Sequence, residues 1–270
     1  MLKKRIISAI ILLPIFVLLV LKLSPQAFCI FTGLFVIAAS VEWSHLMGVK
    51  KFPSVLIYPT IMAILVMASL FLSVSLVLTL GFIWWLAASL LVIIYPSASQ
   101  FWGKGIVIRS IMGFLVLIPC WQALNVIRNS QNGAYALLFL FVLIWGADTA
   151  AYFVGRKWGK HKLAPVVSPG KSWEGFIGAI FGTFLICFVT FYLISIPYQI
   201  WLVTIGLALI TVIFSVMGDL FESMLKRKAD LKDSGNIIPG HGGILDRIDS
   251  LTAAAPVFAF GALLLGKFYH

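Results

Sequence analysis

The sequence predicts an all-α polytopic integral membrane protein, on three observations. Of its 270 residues, 61% are hydrophobic and 11% are Asp, Glu, Lys or Arg, with a mean hydropathy of +1.08. A water-soluble core of this size would need far more polar covering. Apolar runs of bilayer-crossing length, about 20 residues each, fall near 6–22, 26–47, 54–72, 74–95, 106–127, 134–154, 175–195, 199–218 and 250–268, nine in all. The basic residues between them lie mostly on one side. With the N-terminus cytosolic, 17 Lys and Arg face the cytosol and only Lys22, Arg128 and Lys267 face away, which leaves the C-terminus outside.

Residues 1–130 hold the first five runs and read as a scaffold. Met1–Arg5 followed by an apolar run imitates a signal peptide, but no small-residue cleavage site follows, so it reads as a retained span. Glu42 is the only acidic residue of these five spans. Its reading is divided between a local pair with Lys50 or Lys51 and a functional role. Trp43, Tyr58, Tyr95, Trp102, Tyr152, Trp158, Trp173 and Tyr198 lie near segment ends, as interfacial anchors do, whereas Trp84 and Trp85 are mid-segment and expected to pack between helices. Cys29, Cys120 and Cys187 fall within apolar segments and form neither a disulfide framework nor a metal pattern. The net charge of +11 suits anionic lipid surfaces and phosphate-bearing substrates. Nucleic acid is a poor partner, because the cations are scattered between hydrophobic spans.

Residues 131–270 carry spans six to nine and the chemistry. Asp148 lies within span six, where an acid is costly unless paired, hydrated or coordinating; Gly146, Ala147, Ala150 and Ala151 beside it permit close helix packing. The polar segment 155–174 supplies Arg156, Lys157, Lys160, His161 and Lys162, then Ser168–Pro169–Gly170–Lys171–Ser172. A P-loop is excluded, since Pro165 stands where its first glycine belongs and no strand precedes it. A Gly–Lys–Ser turn opening a helix still offers amides, an ammonium and a hydroxyl to a phosphate. The alternative is a basic loop resting on anionic lipid.

The second polar segment, 219–249, holds six of the nine acidic residues: Asp219, Glu222, Asp230, Asp233, Asp246 and Asp249. Lys226, Arg227, Lys228, Lys232 and Arg247 are interleaved with them. Carboxylates for a hard cation beside cations for phosphate oxygens suit phosphoryl or nucleotidyl transfer; a solvated, salt-bridged loop is the competing reading. Asp246 and Asp249, three apart, share one face of a helical start. Gly240, Gly242 and Gly243 flank His241 and let a ligand approach the backbone.

The run Ser223-x-x-Lys226–Arg227-x4-Lys232–Asp233-x-Gly235-x-x-Ile238–Pro239-x-His241–Gly242–Gly243-x-x-Asp246–Arg247-x-Asp249 resembles the signature of the phosphatidate cytidylyltransferases, or CDP-diacylglycerol synthases. The Ser-Pro-Gly-Lys-Ser-x-Glu-Gly block from Ser168 is also similar to that family's, with Ser172 where threonine is usual. The resemblance implies transfer of CMP from CTP to phosphatidic acid, giving CDP-diacylglycerol and pyrophosphate in phospholipid biosynthesis. It implies an active site facing the cytosol, in the inner membrane if the source is bacterial. On that reading Asp219 and Asp246 are the foremost Mg²⁺ ligands, Asp249 is next, and Asp148 completes or supports the site. Lys226, Lys171, Arg227 and Arg247 hold phosphates with Ser172, and the backbone at Gly242 and Gly243 approaches the triphosphate. His241 either donates to the departing pyrophosphate or caps a helix. A second cation at the same site and a homodimer stay open. Rival readings are another CTP-dependent membrane enzyme such as a polyprenol kinase, a synthase for ether-linked lipid, or a transporter of an anionic solute.

Overall fold

The computed structural model describes residues 14–49, 51–97, 99–103, 105–235 and 242–266. They form helices α1 (Pro25–Leu46), α2 (Ile57–Ser69), α3 (Val74–Ile93), a short α4 (Ser99–Trp102), α5 (Ile106–Asn129), α6 (Gly133–Trp158), α7 (Trp173–Leu193), α8 (Trp201–Lys228) and α9 (Leu245–Leu264). A hairpin of β1 (Lys162–Ala164) and β2 (Ser168–Ser172) lies between α6 and α7. Serines set several starts: Ser24 and Ser73 accept from the amides of Ala27 and Leu76, opening α1 and α3.

Seven of these helices, all except α2 and the short α4, are long and apolar enough to cross a membrane, and large apolar side chains cover their outward faces. The protein is an all-α polytopic membrane protein. The run expected at 54–72 becomes a 3₁₀ turn followed by the 13 residues of α2, about 20 Å of helix against a hydrocarbon layer of about 30 Å. The first expected span lies largely outside the described residues; positions 14–22 are helical.

Helix α9 is the axis of the bundle, packed against α8, α5 and α3. Gly81 of α3 marks where three helices meet: a Cβ there would lie 2.6 Å from the Pro119 Cβ of α5 and 3.6 Å from the Pro256 Cβ of α9. Helices α8 and α9 are antiparallel, with Leu207 against Gly261, Gly218 against Asp249 and Ala253, and Lys226 against Asp246. Small residues likewise bring α6 and α7 together, as expected for Gly146 and Ala150: a Cβ at Gly182 would lie 2.8 Å from the Ala150 Cβ, and one at Gly175 would lie 2.9 Å from the Ala151 carbonyl.

Trp84 and Trp85 do pack between helices, both edge-on to Phe221 of α8 at 5.8 and 5.7 Å. Cys120 and Cys187 are buried and all three cysteines are free. Trp43 and Tyr58 depart from the interfacial expectation. Both are buried, and they bind the Arg109 and Ser110 carbonyls at 2.8 and 3.0 Å. Their polar atoms find partners on the backbone of α5 instead of reaching the lipid boundary.

Two glycines of α8 test this packing. A Cβ at Gly218 would lie 2.5 Å from the Asp249 carbonyl, whereas Gly206 has open space. Gly218→Ala is expected to destabilise by about 1–3 kcal/mol through overpacking. Gly206→Ala should be neutral or stabilising by up to about 1 kcal/mol, from helix propensity. Thermal unfolding of the two variants in detergent checks the difference; equal shifts would contradict the seam.

Candidate active site

The polar segment after span eight begins as helix. Helix α8 runs 28 residues to Lys228, about 42 Å, so Asp219, Glu222, Ser223 and Lys226 lie on one helical face, not in a loop. That face meets the first turn of α9, which carries Asp246 and Asp249. Lys171 arrives from β2 and Asp148 from α6. Four elements far apart in sequence thus supply one cluster.

The cluster has an inner and an outer part. In the inner part, Lys226 Nζ lies 2.6 Å from Asp246 Oδ1 and 3.1 Å from Glu222 Oε1, and all three side chains are largely shielded from solvent. Asp246 Oδ2 accepts from the Gly243 amide at 2.8 Å, the Ser234 amide at 2.9 Å and the Ser234 hydroxyl at 3.0 Å. Both Asp246 oxygens are therefore engaged by protein donors. Beyond them sits Glu42 of α1, 1% exposed. Its Oε1 accepts from the Ile244 amide at 2.9 Å, and its Oε2 from the Leu245 amide at 2.8 Å and the Ser234 hydroxyl at 3.2 Å. Its donors among the described residues thus lie in the polar segment, and Lys50, one of its two expected partners, lies outside the described residues. A carboxylate in a helix bundle needs short, directional donors, and the unpaired amides at the start of α9 provide them.

The outer part is accessible. Lys171 Nζ and Asp219 Oδ2 are 2.8 Å apart, with side chains 23% and 31% exposed. Asp219 also accepts from the Ser223 hydroxyl at 3.3 Å. Asp148, exposed on α6, is within electrostatic reach of both Lys171 and Asp219. Asp249 senses Asp219, Lys171 and Lys226, and its Oδ1 accepts from the Ser250 amide at 2.7 Å. Across both parts, five carboxylates (Asp148, Asp219, Glu222, Asp246 and Asp249) stand against the ammonium groups of Lys171 and Lys226. Carboxylates gathered in this way offer hard oxygen ligands to a cation. Among the described residues no three His, Cys, Asp or Glu side chains converge as a ready-made metal shell. Mg²⁺ does not need one, since it commonly takes one or two carboxylates and completes its shell with water and substrate phosphate.

The remaining expected residues fall as follows. Ser172 is buried, ends β2 and caps α7 by accepting from the Gly175 amide at 3.1 Å, so its oxygen serves the helix start. The segment before it is a hairpin, with Lys162 opposite Ser172 and Ala164 opposite Ser168. Glu174 anchors that hairpin by accepting from the His161 amide at 3.2 Å, with its Oε1 2.7 Å from His161 Nδ1. Arg227 donates from Nε to the Val167 carbonyl at 3.3 Å, holding the hairpin over the end of α8. Arg247 is exposed on the first turn of α9. Gly242 takes φ +85°, and a Cβ there would lie 2.8 Å from Asp246 Oδ2. A Cβ at Gly243 would meet Glu42 Oε2 at 2.5 Å. The space left by these two glycines is filled by the protein's own carboxylates. His241 lies outside the described residues. Ser234 and Glu222 are the site residues that motif reading undervalued. The signal for Glu42 was its isolation, since a lone acid in apolar helices requires donors.

A model described as the cytidylyltransferase family matches residues 3–265. The chain is 43% identical to a phosphatidate cytidylyltransferase of Pseudomonas aeruginosa over 96% of both chains. It is 36% identical to one of Haemophilus influenzae, over 96% of this chain and 98% of that one. It is 33% identical to one of Staphylococcus aureus, over 63% of this chain and 75% of that one. Similarity that runs nearly end to end, through both polar segments, places the chain in the cytidylyltransferase family.

Proposed function

We propose that this protein is a phosphatidate cytidylyltransferase, joining CTP and phosphatidic acid into CDP-diacylglycerol with release of pyrophosphate. The observation that carries the reading is the accessible Lys171–Asp219 pair, with Asp148 and Asp249 in electrostatic reach, in a chain similar over nearly its whole length to proteins of that name. A phosphate oxygen of phosphatidate attacks the α-phosphorus of CTP, one P–O bond forms, and the bond to the β-phosphate oxygen breaks. The attacking oxygen is already anionic, so no strong general base is needed. The requirements are in-line placement and charge neutralisation. Lys171 supplies a cation at the open side of the cluster, and Arg247 and Arg227 supply others at its rim. Lys226, tied to Asp246 and Glu222, keeps the inner carboxylates in place.

Mg²⁺ is the proposed cofactor, with Asp219 and Asp249 as its protein ligands and Asp148 in support, because Asp246 is already held by four protein donors whereas Asp219 has two and is the more exposed. Bound there, it would offset phosphate charge and polarise the α-phosphoryl group. The acyl chains of phosphatidate stay in the bilayer while CTP arrives from water. In the proposed topology the seven helices are joined by the 6–22 run and by Ser54–Ser69, which is short for the hydrocarbon layer and crosses it with local thinning of the bilayer, nine in total. The N-terminus is cytosolic and the C-terminus outside. The source membrane is a bacterial inner membrane, with the cluster facing the cytosol.

Purified protein given labelled CTP and phosphatidate should release pyrophosphate and form labelled CDP-diacylglycerol; no product would end the proposal. Asp219→Asn should lower kcat/KM by about 100-fold or more and abolish the Mg²⁺-dependent rise in Tm, while the metal-free Tm holds. A full Mg²⁺ response in that variant would remove Asp219 from the metal site. Lys171→Ala should weaken CTP use by about 2 kcal/mol, roughly thirtyfold at low CTP. Unchanged turnover would return the hairpin to a lipid-surface role. A reporter fused after His270 should be active only outside the cytosol, and cytosolic activity would take one span from the count.

A further inference from the structure

We infer that Glu42, on a helix otherwise read as scaffold, is a positioning residue for the reaction and sets the register of the segment bearing Asp246 and Asp249. This rests on the function and site proposed above. Four observations lead to it.

The Glu42 carboxylate is buried, and every donor seen on it belongs to the polar segment: the Ile244 and Leu245 amides and the Ser234 hydroxyl. It lies more than 190 positions earlier in the chain, so these bonds fix α9 relative to α1 and do not merely tidy a local turn. Glycines surround it: a Cβ at either Gly235 or Gly243 would lie 2.5 Å from one of its oxygens. Finally, the Ser234 hydroxyl lies 3.2 Å from Glu42 Oε2 and 3.0 Å from Asp246 Oδ2, with one proton to share between two carboxylates. Asp246 also binds Lys226, and the next turn of α9 presents Asp249. Glu42, Ser234, Asp246 and Lys226 thus form one chain of contacts from α1 to the accessible carboxylates.

The negative charge of Glu42 opposes the partial positive charge of the α9 N-terminus and accepts its orphan amides. Without it, those amides have no partner in a place that excludes water, and the first turn must shift or unwind. Displacement of Asp249 by about 1 Å is enough to cost about 100-fold in rate. The effect should fall on kcat more than on KM for CTP, because the hairpin cation Lys171 is held by Asp219 and does not touch Glu42.

The test uses the full-length protein in detergent, with Glu42→Ala, Glu42→Gln and Ser234→Ala. Hydrogen exchange of the peptide spanning 242–250 should quicken at least tenfold in Glu42→Ala, while the α6–α7 seam keeps its protection. The kcat should fall at least tenfold, with KM for CTP changing less than threefold. Glu42→Gln, retaining one acceptor oxygen, should lie between Glu42→Ala and the unmodified protein in both readouts. Ser234→Ala should show a smaller loss of the same kind, and decides the matter if Glu42→Ala does not fold. Normal exchange and kcat in Glu42→Gln and Ser234→Ala would overturn the proposal. So would a uniform drop in Tm with activity per folded molecule unchanged, since that is a structural role only. Asp219→Asn, assayed alongside, reports on the site itself: if it keeps full activity the site reading fails, whatever the exchange at 242–250 shows.

Discussion

The start of α9 is a helix end placed inside a helix bundle, and much of the site's arrangement follows from that. The amides of Gly243, Ile244 and Leu245 need acceptors, and water is scarce there. Asp246 takes the first, and Glu42 takes the other two. Each acceptor carries a negative charge that also needs compensation, which Lys226 gives Asp246 directly and the helix dipole gives Glu42. Removing any one partner leaves a buried polar group unmatched, and that costs more than the bond itself contributes. The polar segment is therefore tied to α1 and α8 by satisfaction of its own backbone.

That interior economy separates two kinds of carboxylate that look alike in sequence. Asp246 is saturated, with donors on both oxygens. Asp219 has only one donor on each oxygen, the Ser223 hydroxyl at 3.3 Å and the Lys171 ammonium at 2.8 Å, and its side chain is 31% exposed. The first kind holds geometry and the second can exchange a protein cation for a ligand. The glycines fit the same division. Gly218 lets α9 approach α8 at the level of Asp249, while Gly235, Gly242 and Gly243 make room for Glu42 and Asp246.

Several features were legible in the chain. Hydropathy located the long helices, the small residues of span six marked the α6–α7 seam, and the mid-segment Trp84 and Trp85 proved to be packing residues around Phe221. Other positions misled for a physical reason. The hydrophobic signal ends near Gly218, yet α8 continues to Lys228 because its charged face finds partners in α9 and the hairpin. Gly170–Lys171–Ser172 read as a turn before a helix, but the strand β2 carries it and only Ser172 caps α7. Trp43 and Tyr58 sit near segment ends, yet they point inward and donate to carbonyls in the first turns of α5.

By itself the sequence determined that the chain lies in a membrane, that its acids gather in one late segment, and that this segment resembles the cytidylyltransferase signature. These are properties of composition and local spacing, which survive without knowing what touches what. Only the tertiary structure decided that Glu42 serves α9, that Lys171 pairs with Asp219, and that Asp246 is bound up in its own loop. The reason is electrostatic: a buried charge is acceptable only where donors converge on it, and convergence here joins positions as far apart as 42 and 245.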